Sequence, residues 1–520
     1  MNHTPQPLLA ALLLSLSASL SSSYANADSD RLFIEDSDDE QLIIESGDGE
    51  SLSIDDGLDG DDLIIDDELS IDDGLSTDDE LSIDEDLNID DDLNIGDEAG
   101  TDDELNLGDE LGIADQPPSQ ADQGVSVSLD RAWFETGFLE SDNPADYQLY
   151  GHARAKIHWQ QGPWEAQAAA RVDLYDEHPG GWDDTDLDYD ETFIRYRSKS
   201  GILTLGAQRV IWGRIDELPP SDRLSTPDLR RGLLDDLEDR RLASAAVRYE
   251  HFMDGGRQKL DFLYVPRLRE AELPDNRGIW YPINQDKGTI IGLDTTAAIE
   301  AVVRTAAIDD SAPDTDGGLG VRFNQQGSGY DYALSIQRGV ATLPYFTYNP
   351  ARNLVEAKHL RSTTVSGDLG FEALGGTLKL EAAWNSDTPI TRTNGRFDST
   401  ESLAWGVALE MFPGDGDTRL NLQLVGNYLI DAPSVLDRDK AVSFNGSLEW
   451  PFADNNWRAR MRFNVGLDMN DLYFNPELTY TGFSSQELYL ELHSYDGDKG
   501  SVGGFYEDNS LISLGWRIDL

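Results

Sequence analysis

The densest group of charged residues in the chain lies between Arg209 and Arg231, where the sequence reads RVIWGRIDELPPSDRLSTPDLRR. Arginines alternate with carboxylates along this proline-containing stretch. If the stretch folds into a pore, facing rows of opposite charge create a transverse field that favours polar or charged solutes over apolar ones. The alternative is a salt-bridged loop on the rim that only holds its own shape. The candidates for a constriction are Arg209, Arg214, Asp216, Arg223, Asp228, Arg230 and Arg231.

A second group of arginines lies on predicted strands. Between Arg458 and Phe463 every second residue is arginine, and the residues between them are apolar. An arginine that faces lipid near the bilayer midplane destabilises a barrel by roughly 2–4 kcal/mol. These side chains are therefore expected to face a wet lumen. The pore-lining candidates on the strands are Arg195, Arg197, Arg458, Arg460 and Arg462.

The motifs of common hydrolytic and metal-dependent enzymes do not occur in this sequence. The chain has no cysteine, which excludes disulfides, thiolate metal sites and cysteine nucleophiles. It contains seven histidines, but neither the H-E-x-x-H zinc motif nor the G-x-S-x-G nucleophile elbow is present. We therefore expect a protein that is not an enzyme.

The elements that must position the arginines are β-strands. From Val125 onward apolar and polar residues alternate, and the last such strand alternates from Ile512 to Leu520. Short turns alternate with long loops, which is typical of a bacterial outer-membrane barrel. The predicted fold is all-β, a transmembrane antiparallel β-barrel of about 16–18 strands with both termini in the periplasm. The long loops are expected near 177–190, 213–241, 266–317, 341–354 and 385–399.

Aromatic residues near the ends of the predicted strands suit the interfacial girdles of a membrane barrel. An amphipathic aromatic ring is stable at the level of the lipid headgroups, so such rings collect at both membrane surfaces. The alternative for these rings is ordinary packing in a soluble β-sandwich. The residues expected in the girdles are Trp133, Trp159, Trp164, Tyr175, Trp384 and Trp450.

The amino-terminal part of the chain has a different composition. A Leu- and Ala-rich stretch at residues 8–20 is followed by a small-residue site at 25–27, which predicts a signal peptide at 1–27. Residues 28–124 hold 38 acidic residues and one basic residue, so they carry −37 of the formal net charge of −61. We expect this acidic low-complexity segment to precede a barrel at 125–520.

The acidic segment repeats in hexads of the form Leu-x-Ile followed by acidic residues, most regularly from Leu63 onward. Six residues advance an α-helix by about 600°, so successive leucines do not share a helix face. One interpretation is a disordered, self-repelling tract. The others are order induced by Ca²⁺, which prefers carboxylate oxygens, docking to a basic partner, and an electrostatic plug of the pore. The candidate Ca²⁺ ligands are Asp66, Asp67, Asp72, Asp73, Asp78 and Asp79.

The predicted strand around 203–211 ends in the motif Trp-Gly-Arg-x-Asp, and a Pro- and Asp-rich loop follows. The motif and the loop contribute Trp212, Gly213, Arg214, Asp216, Pro227 and Asp228. In these residues the chain resembles a largely uncharacterised porin-like family of Gram-negative outer-membrane barrels, to which alginate-export barrels are distantly similar. The resemblance implies a channel or export barrel over 125–520, and the acidic hexads lie outside it.

A basic lumen and an acidic amino-terminal segment support two expectations of function. The first is an outer-membrane channel or export barrel for a polar or anionic solute or a secreted product. The alternative is a surface or periplasmic interaction protein whose acidic repeats bind Ca²⁺ or a basic partner of an export system. Expected partners are outer-membrane lipid and lipopolysaccharide, the barrel-assembly machinery, and an export pump or basic periplasmic protein. We expect no nucleic acid and no cofactor other than Ca²⁺, and the fold is compatible with an oligomer such as a trimer.

Overall fold

The structure, a computed structural model, describes residues 34–36, 42–45, 51–53 and 124–519, apart from positions 142, 180, 238, 415 and 484. The predicted signal peptide and the six candidate Ca²⁺ ligands lie outside the described residues. Within the acidic segment, three short strands form an antiparallel sheet. This sheet belongs to the first of two units of the chain, and the barrel belongs to the second. The three strands are Ile34–Asp36, Leu42–Glu45 and Ser51–Ser53.

Eighteen antiparallel strands close into one barrel in the second unit, which confirms the predicted fold at the upper end of its strand number. The strands are β1 (Gly124–Leu139), β2 (Tyr147–Gln161), β3 (Trp164–His178), β4 (Asp183–Tyr189 with Thr192–Arg197), β5 (Gly201–Gln208), β6 (Ser244–Met253), β7 (Gln258–Val265), β8 (Gly318–Gln326), β9 (Tyr330–Val340), β10 (Arg361–Ala373), β11 (Gly376–Thr391), β12 (Phe397–Met411), β13 (Arg419–Leu429), β14 (Lys440–Phe452), β15 (Trp457–Gly466), β16 (Asp471–Phe483), β17 (Gln486–Gly497) and β18 (Leu511–Asp519). The two segments of β4 lie in line, and both pair with β3. Neighbours in sequence pair around the ring, and β18 closes it on β1.

The carboxyl-terminal strand β18 shows the alternation that the sequence predicts. Ile512 and Leu514 are 51% and 54% exposed, whereas Ser513 between them is completely buried. On the same outward face, the rings of Trp516 and Phe134 of β1 stack with their centroids 5.9 Å apart. The closing seam of the barrel therefore has an apolar outer face and a polar inner face.

The same division between faces holds on strands far from the seam. On β9, Leu334 and Ile336 are exposed on the outer surface, while Ser335 and Gln337 are buried on the inner surface. A closed ring leaves no unpaired strand edge, so every strand can satisfy its backbone hydrogen bonds within the barrel. An apolar outer surface around such a ring suits a lipid bilayer, and the chain forms an outer-membrane barrel.

The short turns and both ends of the barrel chain lie at one end of the barrel, as predicted, and the longer connections lie at the other. Two of the predicted long loops are wrong. At 177–190, β3 and β4 are separated by residues 179–182 alone, and at 385–399, β11 and β12 are separated by residues 392–396 alone. Polar side chains mark these regions as loops in the sequence. The hairpins nevertheless continue, because backbone pairing needs no apolar side chains above the membrane.

Two long segments at the outer end, 266–317 and 341–360, fold together and share a hydrophobic core. Tyr281, Val303 and Val355 are among its most buried members. The segments contain strands Ile283–Asn284, Thr289–Ile290, Ala307–Asp309, Tyr345–Asn349 and Leu354–Lys358 and helix α1, Ala297–Val303. The remaining short elements are helix α2, Val502–Phe505, and the 3₁₀ turns Asp254–Gly256 and Glu507–Asn509. Among the described residues, no helix is long and apolar enough to cross a membrane.

Two of the predicted girdle residues, Trp133 and Tyr175, point into the lumen and are buried there. The error at Trp133 has a clear cause. A β-bulge between Leu129 and Arg131 shifts the register of β1, so Val127 is exposed before the bulge and Phe138 after it. Tyr175 shares the inner face of β3 with the buried side chains of Arg171, Asp173 and Glu177. The other four residues expected in the girdles lie on the outward faces of their strands: Trp159, Trp164, Trp384 and Trp450.

Candidate pore constriction

One connection, residues 209–243 between β5 and β6, lies inside the barrel and is referred to below as the inward loop. Its first part forms hydrogen bonds with lumen-facing residues of β10, β11 and β13, and its second part with residues of β1, β3 and β15. In the ring of eighteen strands, β1 and β3 each lie eight positions from β11, so the contacts with them are on the wall opposite β11, whereas β15 lies four positions from β11. The inward loop therefore crosses the lumen. Its two short strands, Thr226–Pro227 and Arg241–Leu242, pair with each other.

The first anchor, residues 212–221 of the inward loop, is centred on Glu381 of β11. Three backbone N–H groups donate to this carboxylate. Those of Arg214 and Ile215 reach Oε2 at 2.7 and 3.1 Å, and that of Ser221 reaches Oε1 at 2.6 Å. Glu381 is 4% exposed, so water does not compete effectively for its oxygens. A single buried carboxylate thus fixes the backbone of the loop against this wall through charge-assisted hydrogen bonds.

Two side chains of the Trp-Gly-Arg-x-Asp motif attach the first anchor to neighbouring strands. The indole N–H of Trp212 donates to Asp261 of β7 at 3.3 Å. The guanidinium Nε of Arg214 donates to Asp368 of β10 at 2.5 Å. Both acceptors are buried on the inner face of the barrel. The motif thus extends the first anchor from β11 to β10 and β7.

The glycine and the aspartate of the motif complete the first anchor. Gly213 has a φ of 141°, and a β-carbon added there would lie 2.8 Å from Oε1 of Glu381, so this close approach requires glycine. Asp216 accepts a hydrogen bond from Asn421 of β13 and lies 3.7 Å from the Nζ atom of Lys379. Every defining residue of the motif therefore has a structural role in seating the inward loop.

The second anchor, residues 228–236 of the inward loop, rests on the opposite wall through ion pairs between side chains. Asp228 accepts hydrogen bonds from Arg171 of β3 at 3.1 Å and from Arg230 at 2.7 Å. Arg230 also donates to Asp186 of β4 at 2.6 Å. All of these groups except Asp186 are buried, so the network is dry on the side that faces the wall.

Arg231 forms the most enclosed contact of the second anchor. Its guanidinium donates to Glu135 of β1 and to Asp235, both at 2.5 Å. The same group lies over the ring of Tyr150 at 4.0 Å and over that of Trp133 at 4.8 Å. A guanidinium is attracted both to a carboxylate and to the face of an aromatic ring. Arg231 is thus held by charge and by stacking at once.

Asp236 joins the second anchor to β15. Its carboxylate accepts from Arg460 at 2.7 Å and from Arg462 at 2.5 Å. Arg462 also donates to the backbone oxygen of Leu234 at 2.9 Å. The side chain of Asp236 is 37% exposed, so this contact is open to solvent, unlike that of Arg231. Two of the three arginines that the sequence places on this strand therefore hold the inward loop.

The acidic residues of the second anchor differ in their titration. Burial raises the pKa of Asp235 to about 7, and the nearby carboxylate of Asp239 adds to this effect, although Arg231 opposes it. Burial also opposes ionisation of Asp236, but the two arginines of β15 outweigh it and hold the pKa well below its ordinary range. Between pH 5 and 8, Asp235 is therefore the carboxyl of this pair that changes its charge.

Three of the predicted pore-lining arginines pair with carboxylates away from both anchors. Arg195 and Arg197 of β4 both pair with Glu165 of β3, at 3.2 and 3.0 Å. Arg458 of β15 pairs with Glu487 of β17 at 2.9 Å. These arginines lie on the inner face of the barrel near the end with the short turns. Each of these arginines is thus paired with a carboxylate of the wall, and the two arginines of β4 share one carboxylate.

The remaining two candidates, Arg209 and Arg223, belong to the inward loop but to neither anchor's ion pairs. Arg209 starts the loop and lies 3.6 Å from both Asp190 and Glu191. Arg223 is exposed. Within the described part of the chain, its guanidinium has no hydrogen bond and no ion pair, which sets it apart from the other predicted arginines of the loop.

The sequence analysis identifies the charged residues of the loop but misses their partners on the wall. Glu381, Asp368, Glu135 and Arg171 all receive contacts from the inward loop, and none is singled out by a motif. They share one feature that the sequence shows. Each is a charged residue at an inward-facing position of a strand whose alternate residues face lipid. A search for inward-facing charges on every predicted strand would have found them.

The outer segment 266–317 covers the inward loop from above. Trp280 packs on Gly232, where a β-carbon would lie 2.8 Å from the indole, and its N–H donates to Gln148 of β2 at 2.9 Å. The backbone N–H of Ile279 donates to Glu177 of β3 at 3.1 Å. This segment therefore reaches from β7 across the outer mouth to β2 and β3.

No arrangement for metal or catalytic chemistry stands out in the barrel. Among the described residues, no group of three or more His, Asp or Glu side chains is placed to hold a metal ion. The buried histidine of β17, His493, lies beside Glu491 and Tyr473, and this contact belongs to the packing of the inner wall.

No protein-family model matches the chain, and no curated protein sequence matches it. Among solved structures, the chain is similar to OmpF of Salmonella typhi in complex with daunomycin, with 10% identity and a TM-score of 0.41 over 78% of this chain and 100% of that chain. It is similar to a triple mutant of the Rhodopseudomonas blastica porin, with 12% identity and a TM-score of 0.36 over 76% and 100% of the two chains. It is also similar to the outer membrane channel DcaP of Acinetobacter baumannii, with 10% identity and a TM-score of 0.38 over 77% and 99%. Likeness at this level carries no conclusion about solute or partner, and the resemblance to alginate-export barrels stays a prediction.

Proposed function

We propose that the protein is an outer-membrane channel for polar solutes whose lumen is closed by the inward loop. The observation that carries this proposal is the attachment of one loop to opposite walls, by Glu381 of β11 on one side and by Glu135 of β1 on the other. A barrel that served as a scaffold alone would need no crossing inside its lumen. A channel that must be closed at rest needs a segment that crosses its lumen.

The charge of the lumen supports a polar solute more strongly than an anionic one. The sequence motivates anion transport by its lumen-facing arginines, yet nearly all of these arginines pair with wall or loop carboxylates. Arg223 alone among the candidates is exposed without such a partner within the described residues. Balanced opposite charges create a field that favours polar and dipolar molecules without a strong preference for one sign.

Liposome swelling with uncharged sugars of graded size tests this proposal. The wild-type protein should admit them slowly. A variant in which residues 228–236 are replaced by a glycine-serine linker should admit them rapidly, because the second anchor is lost. A glycine-serine replacement of residues 310–314 in the outer segment controls for altering a loop in general. Equal and slow swelling for both variants would refute a channel closed by this loop.

The other expected properties stay proposals of their own. Binding of Ca²⁺ or of a basic partner by the acidic repeats concerns residues such as Asp66 and Asp72, which lie outside the described residues. The apolar outer surface supports contact with outer-membrane lipid, whereas lipopolysaccharide, the barrel-assembly machinery and an export pump stay predictions. Calorimetry of a peptide spanning 28–124 with Ca²⁺ tests whether the acidic segment binds this metal. Absence of heat would refute Ca²⁺ binding by the segment.

A further inference from the structure

The wall that holds Arg231 has the composition of a binding site in its own right. Glu135 of β1 presents its carboxylate to the guanidinium, and the rings of Trp133 and Tyr150 lie against the guanidinium within 4.8 and 4.0 Å. All three wall residues belong to the barrel and not to the loop. They would therefore stay in place if the inward loop moved away.

Contacts within the barrel hold the carboxylate of this site without help from Arg231. The hydroxyl of Tyr489 on β17 donates to Oε2 of Glu135 at 2.6 Å, and Ser513 of β18 donates to Oε1 at 3.2 Å. The indole N–H of Trp133 in turn donates to the hydroxyl of Tyr489. Because the wall orients its own donor and acceptor groups, the site is preformed and an occupant need not build it.

The chemistry of the site selects one class of ligand. A buried carboxylate attracts a cation, and flanking aromatic faces favour a flat, weakly hydrated one over a compact ammonium ion. A guanidinium meets both conditions, as Arg231 shows. An anion is disfavoured by the negative charge of Glu135.

We propose that this wall site, formed by Glu135, Trp133 and Tyr150, binds guanidinium-bearing solutes and that Arg231 is its internal occupant while the channel is closed. The proposal rests on the proposed channel function and names one class of solute for it. A solute with a guanidinium group competes with Arg231 for the site. Its binding releases the second anchor and favours the open channel.

Titration calorimetry of the full-length Arg231→Ala protein in detergent, with methylguanidinium as the probe, tests the site directly. The substitution empties the site, so methylguanidinium should bind saturably, and methylammonium should bind roughly tenfold more weakly or not at all. Adding Glu135→Gln to the same protein should weaken binding of methylguanidinium by roughly tenfold or more, because a charge-assisted hydrogen bond is lost.

Arg458→Ala supplies a matched control. It leaves the carboxylate of Glu487 without its arginine, and the structure places no aromatic ring over Arg458 within the described residues. This variant should not bind methylguanidinium saturably. The proposal is overturned if folded Arg231→Ala protein binds no methylguanidinium, or if either the Arg231→Ala/Glu135→Gln protein or the Arg458→Ala protein binds it as tightly as the Arg231→Ala protein does.

A second measurement avoids any dependence on the folding of Arg231→Ala. Methylguanidinium chloride should raise the open probability of the wild-type channel in a planar bilayer, whereas equal methylammonium chloride should not, and Glu135→Gln should remove the difference. Equal effects of the two salts on the wild type would overturn the proposal. If no variant of the barrel ever conducts, the channel function fails, and the calorimetry still decides the binding site.

Discussion

The two anchors of the inward loop hold it by different means. The first anchor is centred on a contact of backbone N–H groups with one buried carboxylate, Glu381, which fixes the path of the chain itself, and its ion pair between Arg214 and Asp368 is also buried. The second anchor consists of ion pairs between side chains, such as those of Asp236 with Arg460 and Arg462, and part of it is exposed to solvent. Both span a similar number of residues, yet their sensitivity to solvent ions should differ greatly.

This difference indicates which part of the loop moves first. Backbone donors cannot rotate away from Glu381 unless the chain refolds, and mobile ions have poor access to that buried contact. Side-chain ion pairs can exchange partners with ions or with other charges, and an exposed pair contributes about 0.2–1 kcal/mol. We therefore expect the first anchor to act as a fixed base and the second to release during opening.

The largest effect is expected from Glu381→Ala. It leaves three backbone N–H groups without their acceptor, and each buried unsatisfied donor costs about 1–3 kcal/mol. The closed state should lose about 3 kcal/mol or more, which corresponds to an increase of over 100-fold in the ratio of open to closed channels. Single-channel recording measures that ratio. Glu372→Ala removes an exposed carboxylate of β10 and should change nothing; equal open probabilities in the two variants would show that Glu381 does not hold the loop.

A smaller effect is expected from Asp236→Asn, which weakens two ion pairs of the second anchor. Because the side chain is 37% exposed, screening limits the loss to about 1–2 kcal/mol, or roughly tenfold more opening. The frequency of openings in a planar bilayer is the readout. Asp275→Asn breaks a comparable ion pair with Arg277 in the outer segment and should leave that frequency unchanged. A frequency as high as that of Glu381→Ala would mean that the anchors are alike.

Salt should separate the anchors further. Raising KCl from about 0.1 to 1 M shortens the Debye length from about 10 to 3 Å and weakens exposed ion pairs. The wild-type channel should open more often in high salt, and Asp236→Asn should respond less because its weakest ion pairs are already lost. Open probability, corrected for the conductivity of the bath, is the quantity to compare. An identical salt response in the two proteins would place the salt-sensitive contact elsewhere.

The last expected effect is that of pH. The pKa of Asp235 in the docked loop is about 7, above its ordinary range. As pH rises, Asp235 therefore stays protonated to a higher pH in the docked loop than in the released loop. Docking is therefore strongest at low pH and weakens as pH rises through about 7. Openings should become more frequent between pH 5 and pH 8, and Asp235→Asn should flatten this dependence. More frequent openings on acidification would contradict the predicted direction of this pH dependence.

The sequence predicts the barrel well because alternation is a local property. The residues next to Ile512 and Ser513 in sequence are enough to predict which face of the barrel each of them occupies. The charged motif after β5 is likewise recognisable without reference to other parts of the chain. The prediction fails where one residue changes the register, as at the bulge before Trp133, since every later side chain of that strand then changes face. It also fails where a loop and a hairpin strand share the same polar composition.

The partners of the inward loop could not be predicted from spacing. Arg214 and Glu381 are 167 residues apart in sequence, and Arg460 and Asp236 are 224 apart. These pairs meet because a ring of eighteen strands brings distant segments across one lumen. The alternation of side chains along β11 predicts that Glu381 faces inward. The path of the inward loop decides which of the inward-facing charges the loop contacts.

The most direct test of the account is the single-channel conductance of the Glu381→Ala/Asp236→Asn protein compared with that of the wild type and of each single variant. Both anchors are weakened in the double variant, the first at β11 and the second at β15. We expect the wild type to stay closed for most of the recording and the double variant to stay open at a single large conductance, with opening that exceeds either single variant. A double variant that conducts no more than the wild type would contradict a lumen closed by the doubly anchored inward loop.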